Sequence, residues 1–157
     1  MVDDAGLTVA VVTRREMRAR RLPHRSTFIL VFNRRGELFV HLRTATKDVF
    51  PSYWDPCVGG VLDAGEDYDA GAARELDEEI GVQSPLERLF PLRYDDAHTT
   101  VHGMVYRTRH DGPFRLQPEE VVRGEFVAPA VVLERAAHEP FCPDGCAALA
   151  WYLERFG

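Results

Sequence analysis

The sequence predicts an α/β protein in which a mixed β-sheet lies between helices, an α/β/α sandwich. Strand and helix patterns follow one another in the order strand, helix, hairpin, long helix, strands and helices. Hydrophobic residues make up 45% of the 157 residues and charged residues 28%, which is typical of a globular protein with a proper core. The length suits a single domain that spans residues 1–157.

The first half of the chain predicts a strand, a basic helix and a hairpin. Residues 7–13 are apolar with several β-branched side chains, which predicts a strand. Residues 14–22 carry five arginines and predict a helix that ends before Pro23. Residues 26–33 and 37–43 predict two strands joined by a turn, which together make a hairpin.

The second half begins with a long helix between Asp67, a suitable N-cap, and Gly81, a suitable C-terminal stop. Beyond it the patterns predict three strands and then two helices. The strands are expected at 86–94, 103–109 and 124–128, with residues 95–98 joining the first two, and the helices at 129–137 and 144–156.

Charge and composition exclude several classes of function. The net charge of −6 argues against general electrostatic binding to nucleic acid or to an anionic membrane. No apolar run approaches the ~18 residues of a membrane span, and the N-terminus lacks the basic segment of a secretory leader. The three cysteines form an odd set, which favours reduced thiols and a cytoplasmic location.

Three carboxylates, Glu75, Glu78 and Glu79, share one face of the long helix because they stand three and four residues apart. They crowd the negative end of the helix dipole, which costs roughly 0.3–1 kcal/mol. One interpretation is a solvated acidic face. The other is a site for a hard cation such as Mg²⁺, which prefers oxygen ligands and would relieve the repulsion.

The spacing of this segment resembles the Nudix box, the signature of the Nudix hydrolase superfamily. Gly60 is followed after five residues by Glu66, and after seven more by the run RELDEEIGV at residues 74–82. The resemblance implies the Nudix fold, itself an α/β/α sandwich. It also implies hydrolysis of a phosphoanhydride bond in a nucleoside diphosphate linked to another group, with Mg²⁺ as cofactor and Mn²⁺ as the alternative.

The resemblance further implies which residues hold the metal. Glu75 and Glu79 would be the main ligands, and Glu78 would be a further ligand or would position a water molecule. A backbone carbonyl, that of Gly60 or of Gly59, would join them.

The same resemblance implies a catalytic set of Glu78, Glu79, Arg74 and Glu66. Arg74 would orient the glutamates through ion pairs, and Glu66 would be a structural or outer member of the site. The catalytic base stays open between a box glutamate and one from elsewhere. The candidates are Glu78, Glu79, Glu119, Glu120 and Glu125.

Basic residues before the box are candidates for binding the substrate's phosphates. Arg43 ends a predicted strand and Lys47 follows in a loop, so both are substrate-binding candidates, with simple surface charge as the alternative. The arginines of residues 14–22 would also suit an anionic substrate, but a solvated helix face is the favoured interpretation. The expected partner is a small-molecule diphosphate or nucleotide, and a homodimer is allowed.

Outside the box the chain resembles the isopentenyl-diphosphate-isomerase-like branch, in segments at 23–25, 32–36, 43–51, 112–114 and 141–144. True isomerases of that branch carry a cysteine and a metal-binding histidine shortly after a loop tryptophan. Counted from Trp54, those places hold Gly59 and Val61, and Cys57 comes two residues too early. The resemblance therefore favours hydrolysis, with an isomerase and a catalytically silent nucleotide-binding module as alternatives.

Overall fold

The computed structural model describes residues 1–97 and 99–157. In this part of the chain the elements follow in the order α1 (Arg14–Ala19), β1 (His24–Phe32), β2 (Leu38–Arg43), β3 (Trp54–Asp55), α2 (Tyr68–Ile80), β4 (Glu87–Asp95), β5 (Thr100–Arg109), β6 (Val121–Val127), α3 (Pro129–Ala136) and α4 (Pro143–Phe156). None of the helices in these two ranges is long and apolar enough to cross a bilayer.

The strands form one mixed sheet in the order β3-β2-β1-β5-β4, and β6 pairs along the whole of β2, on the edge opposite β3. β1 and β5 run parallel, whereas the other paired strands are antiparallel. The predicted hairpin is present, and its two strands are in register at Phe32 and Leu38, next to the turn. The mixed sheet of the sequence prediction is confirmed.

Helices cover both faces of the sheet because successive side chains of a strand point to opposite sides. On one face α2 packs Leu76 and Ile80 against Ile29 of β1. On the other face Val132 of α3 and Leu149 of α4 join a second apolar cluster with side chains of the sheet. One cluster lies on each face of the sheet, between the sheet and the helices that cover it. The three layers are those of the predicted α/β/α sandwich.

The segment at residues 58–61 takes the place beside β1 where β2 has diverged from it. Ile29 and Val58 exchange two backbone hydrogen bonds of 2.7 and 2.9 Å, and the Thr27 amide donates to the Gly60 carbonyl at 3.0 Å. This pairing delivers the loop before α2, including the box glycine, to the edge of β1. The start of the Nudix box is therefore held by the sheet and not only by its own helix.

Both predicted ends of α2 are confirmed. The Asp67 carboxylate accepts a hydrogen bond from the Ala70 amide at 2.7 Å, which satisfies one of the free amides of the first turn. Gly81 adopts the left-handed conformation, with φ of 68°, that glycine adopts without steric cost.

The predicted strand at residues 7–13 is wrong. Val2 and Thr8 make an isolated bridge, and Thr13 is already the N-cap of α1. The side chains of Leu7, Val9 and Val11 are 54–74% exposed, because this segment joins none of the sheet's strands and has no neighbour to cover its apolar side.

Other differences concern the bounds of elements. The basic helix ends at Ala19 because Arg20 leaves the helical conformation and Arg21 has a φ of 53°. Strand β6 starts earlier than residue 124, at Val121. The two-residue strand β3 is too short for any sequence pattern to reveal. Of the predicted connection at 95–98, His98 lies outside the described residues.

Candidate active site

Two box glutamates are buried at the side of α2 that faces the loop at residues 58–61. Glu75 and Glu79 are only 9% and 6% exposed, whereas the Glu78 side chain is half exposed. The Gly59 amide donates to a carboxylate oxygen of Glu79 at 3.2 Å. The i, i+4 pair predicted from the sequence therefore points inward, and the solvated-face interpretation does not describe these two residues.

Gly60 allows its backbone to approach the Glu75 carboxylate closely. A Cβ atom at Gly60 would lie 2.9 Å from Oε1 of Glu75, closer than such contacts normally come. At Gly59 φ is 143°, and a Cβ there would lie 2.2 Å from the Thr27 carbonyl oxygen. The two glycines therefore let the chain pass directly over the carboxylates.

The two backbone carbonyls that the sequence left open as candidate ligands, those of Gly59 and Gly60, both lie in this loop. The Gly60 carbonyl already accepts the Thr27 amide, as part of the pairing with β1. In the described part of the chain no amide donates to the Gly59 carbonyl. Between the two alternatives left open by the sequence, the Gly59 carbonyl is the one with both lone pairs free.

Arg74 makes ion pairs with three box carboxylates, those of Glu66, Glu75 and Glu78. Its guanidinium donates two hydrogen bonds to Glu66, of 2.8 and 2.9 Å. A further nitrogen, Nη1, donates to Glu75 at 3.0 Å and to Glu78 at 3.2 Å. Glu66 also accepts the Asp63 amide at 3.1 Å, so it ties Arg74 to the loop before the helix.

The buried pair of Glu75 and Glu79 would be stabilised by a nearby positive charge. Burial raises the pKa of Glu75, and the neighbouring charge of Arg74 only partly opposes this. Burial and then the charge of Glu75 raise the pKa of Glu79 well above its ordinary value. Two partly desolvated carboxylates in one place are stabilised either by protons or by a cation.

The donor set fits a hard cation that is shared with a ligand. Among the described residues no three acidic, histidine or cysteine side chains are close enough to cage an ion by themselves. Mg²⁺ usually binds through one or two carboxylates and completes its shell with water and substrate phosphates. Glu75 and Glu79 supply that number, so the residues present fit the implied ion.

A polar cleft of about 190 Å³ opens beside these glutamates. Its walls include both substrate-binding candidates, Arg43 and Lys47. The Arg43 guanidinium donates to the carbonyls of Val49 and Phe50 at 2.9 and 3.3 Å, so it holds the loop that follows β2.

Lys47 also has a partner, because its ammonium group is paired with the Glu120 carboxylate. The structure thus brings Glu120 into the cleft. Glu119 is exposed, and its carbonyl accepts the Thr44 hydroxyl. Glu125 pairs with Arg135 of α3 at 2.8 Å and does not line the cleft.

The interpretation of residues 14–22 as a solvated helix face does not describe two of their arginines. Arg14 and Arg18 both line the cleft, together with His24 at the start of β1. These two arginines stand four residues apart and so share a helix face, and their place in the cleft agrees with the alternative, a contact with an anionic substrate. His24 is buried with Nδ1 3.0 Å from the Leu22 carbonyl, and burial lowers its pKa to about 4, so its ring is neutral at pH 7.

Sequence reasoning missed a second acidic pair in the cleft wall, Asp55 and Asp144. Asp55 of β3 accepts the Cys57 amide at 2.9 Å, and its other oxygen lies 3.8 Å from Arg43. Burial and then the charge of Asp144 raise the pKa of Asp55 to about 7. These two aspartates are 89 residues apart in sequence, at positions 55 and 144, so no local spacing marks them.

The sandwich, the inward glutamate pair and the loop glycines together define the class of Nudix proteins. The family model described as the NUDIX domain matches residues 22–144. The chain therefore belongs to the NUDIX domain family.

Relatives with curated names agree with this assignment. An uncharacterized Nudix hydrolase of Pseudomonas aeruginosa is 41% identical over 154 residues, covering 98% of this chain and 91% of the relative. The Nudix hydrolase YfcD of Escherichia coli K12 is 33% identical over 156 residues, covering 99% and 86%. These names agree with the enzyme class predicted from the box, a hydrolase that acts on acid anhydrides.

Solved structures show the same fold. A crystal structure from Deinococcus radiodurans has a TM-score of 0.73 at 25% identity and covers 82% of each chain. The NUDIX domain of Shewanella oneidensis NrtR, crystallised with ADP ribose, has a TM-score of 0.69 at 19% identity. That match covers 93% of this chain and all of the other, and at this identity it shows the fold alone.

Proposed function

We propose that this protein is a Mg²⁺-dependent hydrolase that cleaves a phosphoanhydride bond in a substrate of the nucleoside diphosphate-X type, with Mn²⁺ as the alternative ion. The observation that carries the proposal is the buried pair Glu75 and Glu79, whose pKa values are raised, in a cleft that also contains cationic side chains. Phosphoryl transfer depends chiefly on positioning and charge neutralisation, which such a site supplies.

The chain's own residues would divide the work as follows. Glu75 and Glu79 would hold the ion, and the Gly59 carbonyl would be the third oxygen ligand from the chain. The ion, when bound, neutralises phosphate charge and lowers the pKa of a water molecule. Arg74 fixes the Glu75 carboxylate, and its bond to Glu78 restrains that more exposed side chain near the mouth of the cleft, where it would position the attacking water.

Lys47 and Arg43 would act on the substrate in different ways. Lys47 would bind a substrate phosphate by exchanging its present partner Glu120, which would then be free to accept a proton from water. Glu120 is therefore the favoured base from outside the box, beside Glu78 and Glu79. Arg43 would shape the loop at residues 49–50 and would act on phosphate mainly through its charge.

A nucleotide substrate is supported by the fold neighbour that was crystallised with ADP ribose. An isomerase on an allylic diphosphate is less well supported, because Cys57 is placed poorly for acid-base work. Its thiol is buried, lies 3.8 Å from the Gly145 carbonyl, and has a pKa that burial raises well above the ordinary value.

The test is a substrate panel assayed with Mg²⁺ for released phosphate and for product mass. The panel comprises nucleoside triphosphates, nucleotide sugars, dinucleotides, ADP ribose, coenzyme A and isopentenyl diphosphate. We expect hydrolysis of at least one nucleotide, and a loss of at least about 100-fold in Glu79→Gln. The matched control is Glu154→Gln, which makes the same change on an exposed residue of α4.

Two results would contradict the proposal. Equal activity of the wild type and Glu79→Gln on every compound would indicate a binding module. Double-bond migration in isopentenyl diphosphate without phosphate release from any nucleotide would indicate an isomerase.

We also propose that residues 1–157 act as one domain in the cytoplasm. The N-terminal segment supports the first point, since α1 lines the same cleft as α2. The second is supported by three free thiols at Cys57, Cys142 and Cys146. A homodimer stays a prediction, to be tested by light scattering.

A further inference from the structure

Helix α1 adds two arginines to the cleft from outside the residues that the family model matches. That match begins at residue 22, whereas Arg14 and Arg18 precede it. Both arginines line the cleft that also contains Glu75 and Glu79. Part of the cationic wall therefore comes from a segment beyond the matched domain.

Burial of Met17 and an ion pair of Arg18 hold α1 against the rest of the fold, and a capping hydrogen bond stabilises the helix itself. Met17 is buried, with an exposed fraction of 5%. The Thr13 hydroxyl caps the helix by accepting the Glu16 amide at 3.1 Å. Arg18 pairs with Asp48 at 3.3 Å, which ties α1 to the loop after β2. With α1 held in this position, Arg14 and Arg18 line the cleft.

Most cations of the cleft already have acidic partners. Arg43 approaches Asp55, Lys47 pairs with Glu120, and Arg18 pairs with Asp48. Arg14 has no acidic partner within 4.0 Å among the residues that the structure describes. It is thus a cleft arginine whose full donor set is free to meet a ligand.

Arg14 shares the cleft with the glutamate site. Arg14, Glu75 and Glu79 all line this cleft, and so does His24 at the start of β1. A ligand held at the two glutamates would therefore occupy the same cleft as the Arg14 side chain.

We propose that Arg14, flanked by Arg18, is a specificity residue that binds a phosphoryl group of the substrate beyond the diphosphate held at Glu75 and Glu79. The substrate class it selects is a chain of at least three phosphoryl groups. A guanidinium suits this role because its planar array of donors matches phosphate oxygens. This inference rests on the proposed function, since it assumes that the glutamates hold the scissile diphosphate.

The test compares two inorganic probes that differ by one phosphoryl group. They are imidodiphosphate and diimidotriphosphate, whose nitrogen bridges resist hydrolysis, and binding is measured by calorimetry at fixed free Mg²⁺. We expect the wild type to bind the triphosphate analogue more tightly than the diphosphate analogue. Arg14→Gln should weaken the triphosphate analogue about three- to fivefold, as suits a partly exposed ion pair, and leave the diphosphate analogue unchanged.

The matched control is Arg15→Gln, which removes the same charge from the same helix at an exposed position outside the cleft. It should leave both affinities unchanged. If the Arg14 and Arg15 variants lost affinity for the triphosphate analogue equally, the loss would reflect the net charge of the protein. That result would overturn the inference. An unchanged affinity of Arg14→Gln for the triphosphate analogue would overturn it as well.

The two proposals fail in distinguishable ways. If Glu79→Gln abolishes hydrolysis while Arg14→Gln binds both probes like the wild type, only the role of Arg14 falls. If the wild type hydrolyses nothing and neither probe binds with Mg²⁺, the proposed function is wrong, and the role of Arg14 is wrong with it.

Discussion

Arg74 grips Glu66 with two hydrogen bonds of 2.8 and 2.9 Å, although the two residues stand eight positions apart, and the same guanidinium also reaches Glu75. Glu66 lies in the loop before α2, whereas Glu75 is buried in the helix. The pair therefore sets the orientation of a metal-binding candidate from outside the metal site, as outer partners of metal ligands commonly do.

Replacing Arg74 with lysine should weaken Mg²⁺ binding while the fold persists. A lysine keeps the charge but loses the paired donors to Glu66, so Glu75 would no longer be held in one orientation. We expect a loss of about 10- to 100-fold in apparent Mg²⁺ affinity, measured by metal titration of the hydrolysis rate. Arg88→Lys is the control, because Arg88 pairs with Asp69 on the solvent side of α2. An unchanged titration for Arg74→Lys would contradict the orienting role.

Alanine at Gly60 and alanine at Gly59 should have different effects. At Gly60 the new Cβ meets the end of the Glu75 side chain, which would move, so metal affinity should fall with little change in stability. At Gly59 it meets the Thr27 carbonyl and the backbone is at φ of 143°, so the loss should appear in stability, at about 1–3 kcal/mol. Thermal unfolding and Mg²⁺ titration of the two variants measure both effects. Identical behaviour of the pair would rule out the distinction.

The metal-free protein should be stabilised by Glu79→Gln even as activity is lost. The amide removes a buried like-charge contact with Glu75 and still accepts the Gly59 amide, so we expect a gain of about 1 kcal/mol at pH 8. Added Mg²⁺ should raise the unfolding temperature of the wild type and leave this variant nearly unchanged. Both are read by calorimetry, with Glu154→Gln as the matched surface control. A destabilised variant that still responds to Mg²⁺ would contradict both the repulsion between Glu79 and Glu75 and the role of Glu79 as a metal ligand.

The stability of the protein should depend on pH through Asp55. Its pKa is raised to about 7 in the folded protein, so between roughly pH 4 and pH 7 the folded state holds a proton that the unfolded chain has lost. This group therefore makes the protein less stable as pH rises through that window, and the penalty is complete above pH 7.

Asp55→Asn removes the penalty while its side-chain oxygen can still accept the Cys57 amide. We expect the unfolding temperature of the variant, relative to the wild type, to rise steadily from pH 4 to pH 7. Asp4→Asn, at a side chain that is 96% exposed, should show no such trend. Parallel curves for wild type and Asp55→Asn would indicate that Asp55 is ionised in the folded protein.

Local patterns predicted the elements that carry the chemistry. The ends of α2 depend on Asp67 and Gly81, which act within one turn, and both predictions are confirmed. The i, i+4 spacing of Glu75 and Glu79 likewise decides by itself that they share a face. The strand predicted at residues 7–13 failed because apolar, β-branched composition does not tell whether a neighbouring strand is present to pair with it.

The sequence by itself determined the helix, its carboxylates and the family, because these depend on spacings within a few turns of chain. Only the tertiary structure decided what surrounds the carboxylates. Arg14, Lys47 and Glu79 line one cleft for two reasons. Backbone hydrogen bonds hold the loop at residues 58–61 against the edge of β1, and α1 forms part of the cleft wall. Contacts between residues so distant in sequence exist only once the sheet has formed, so no local pattern encodes them.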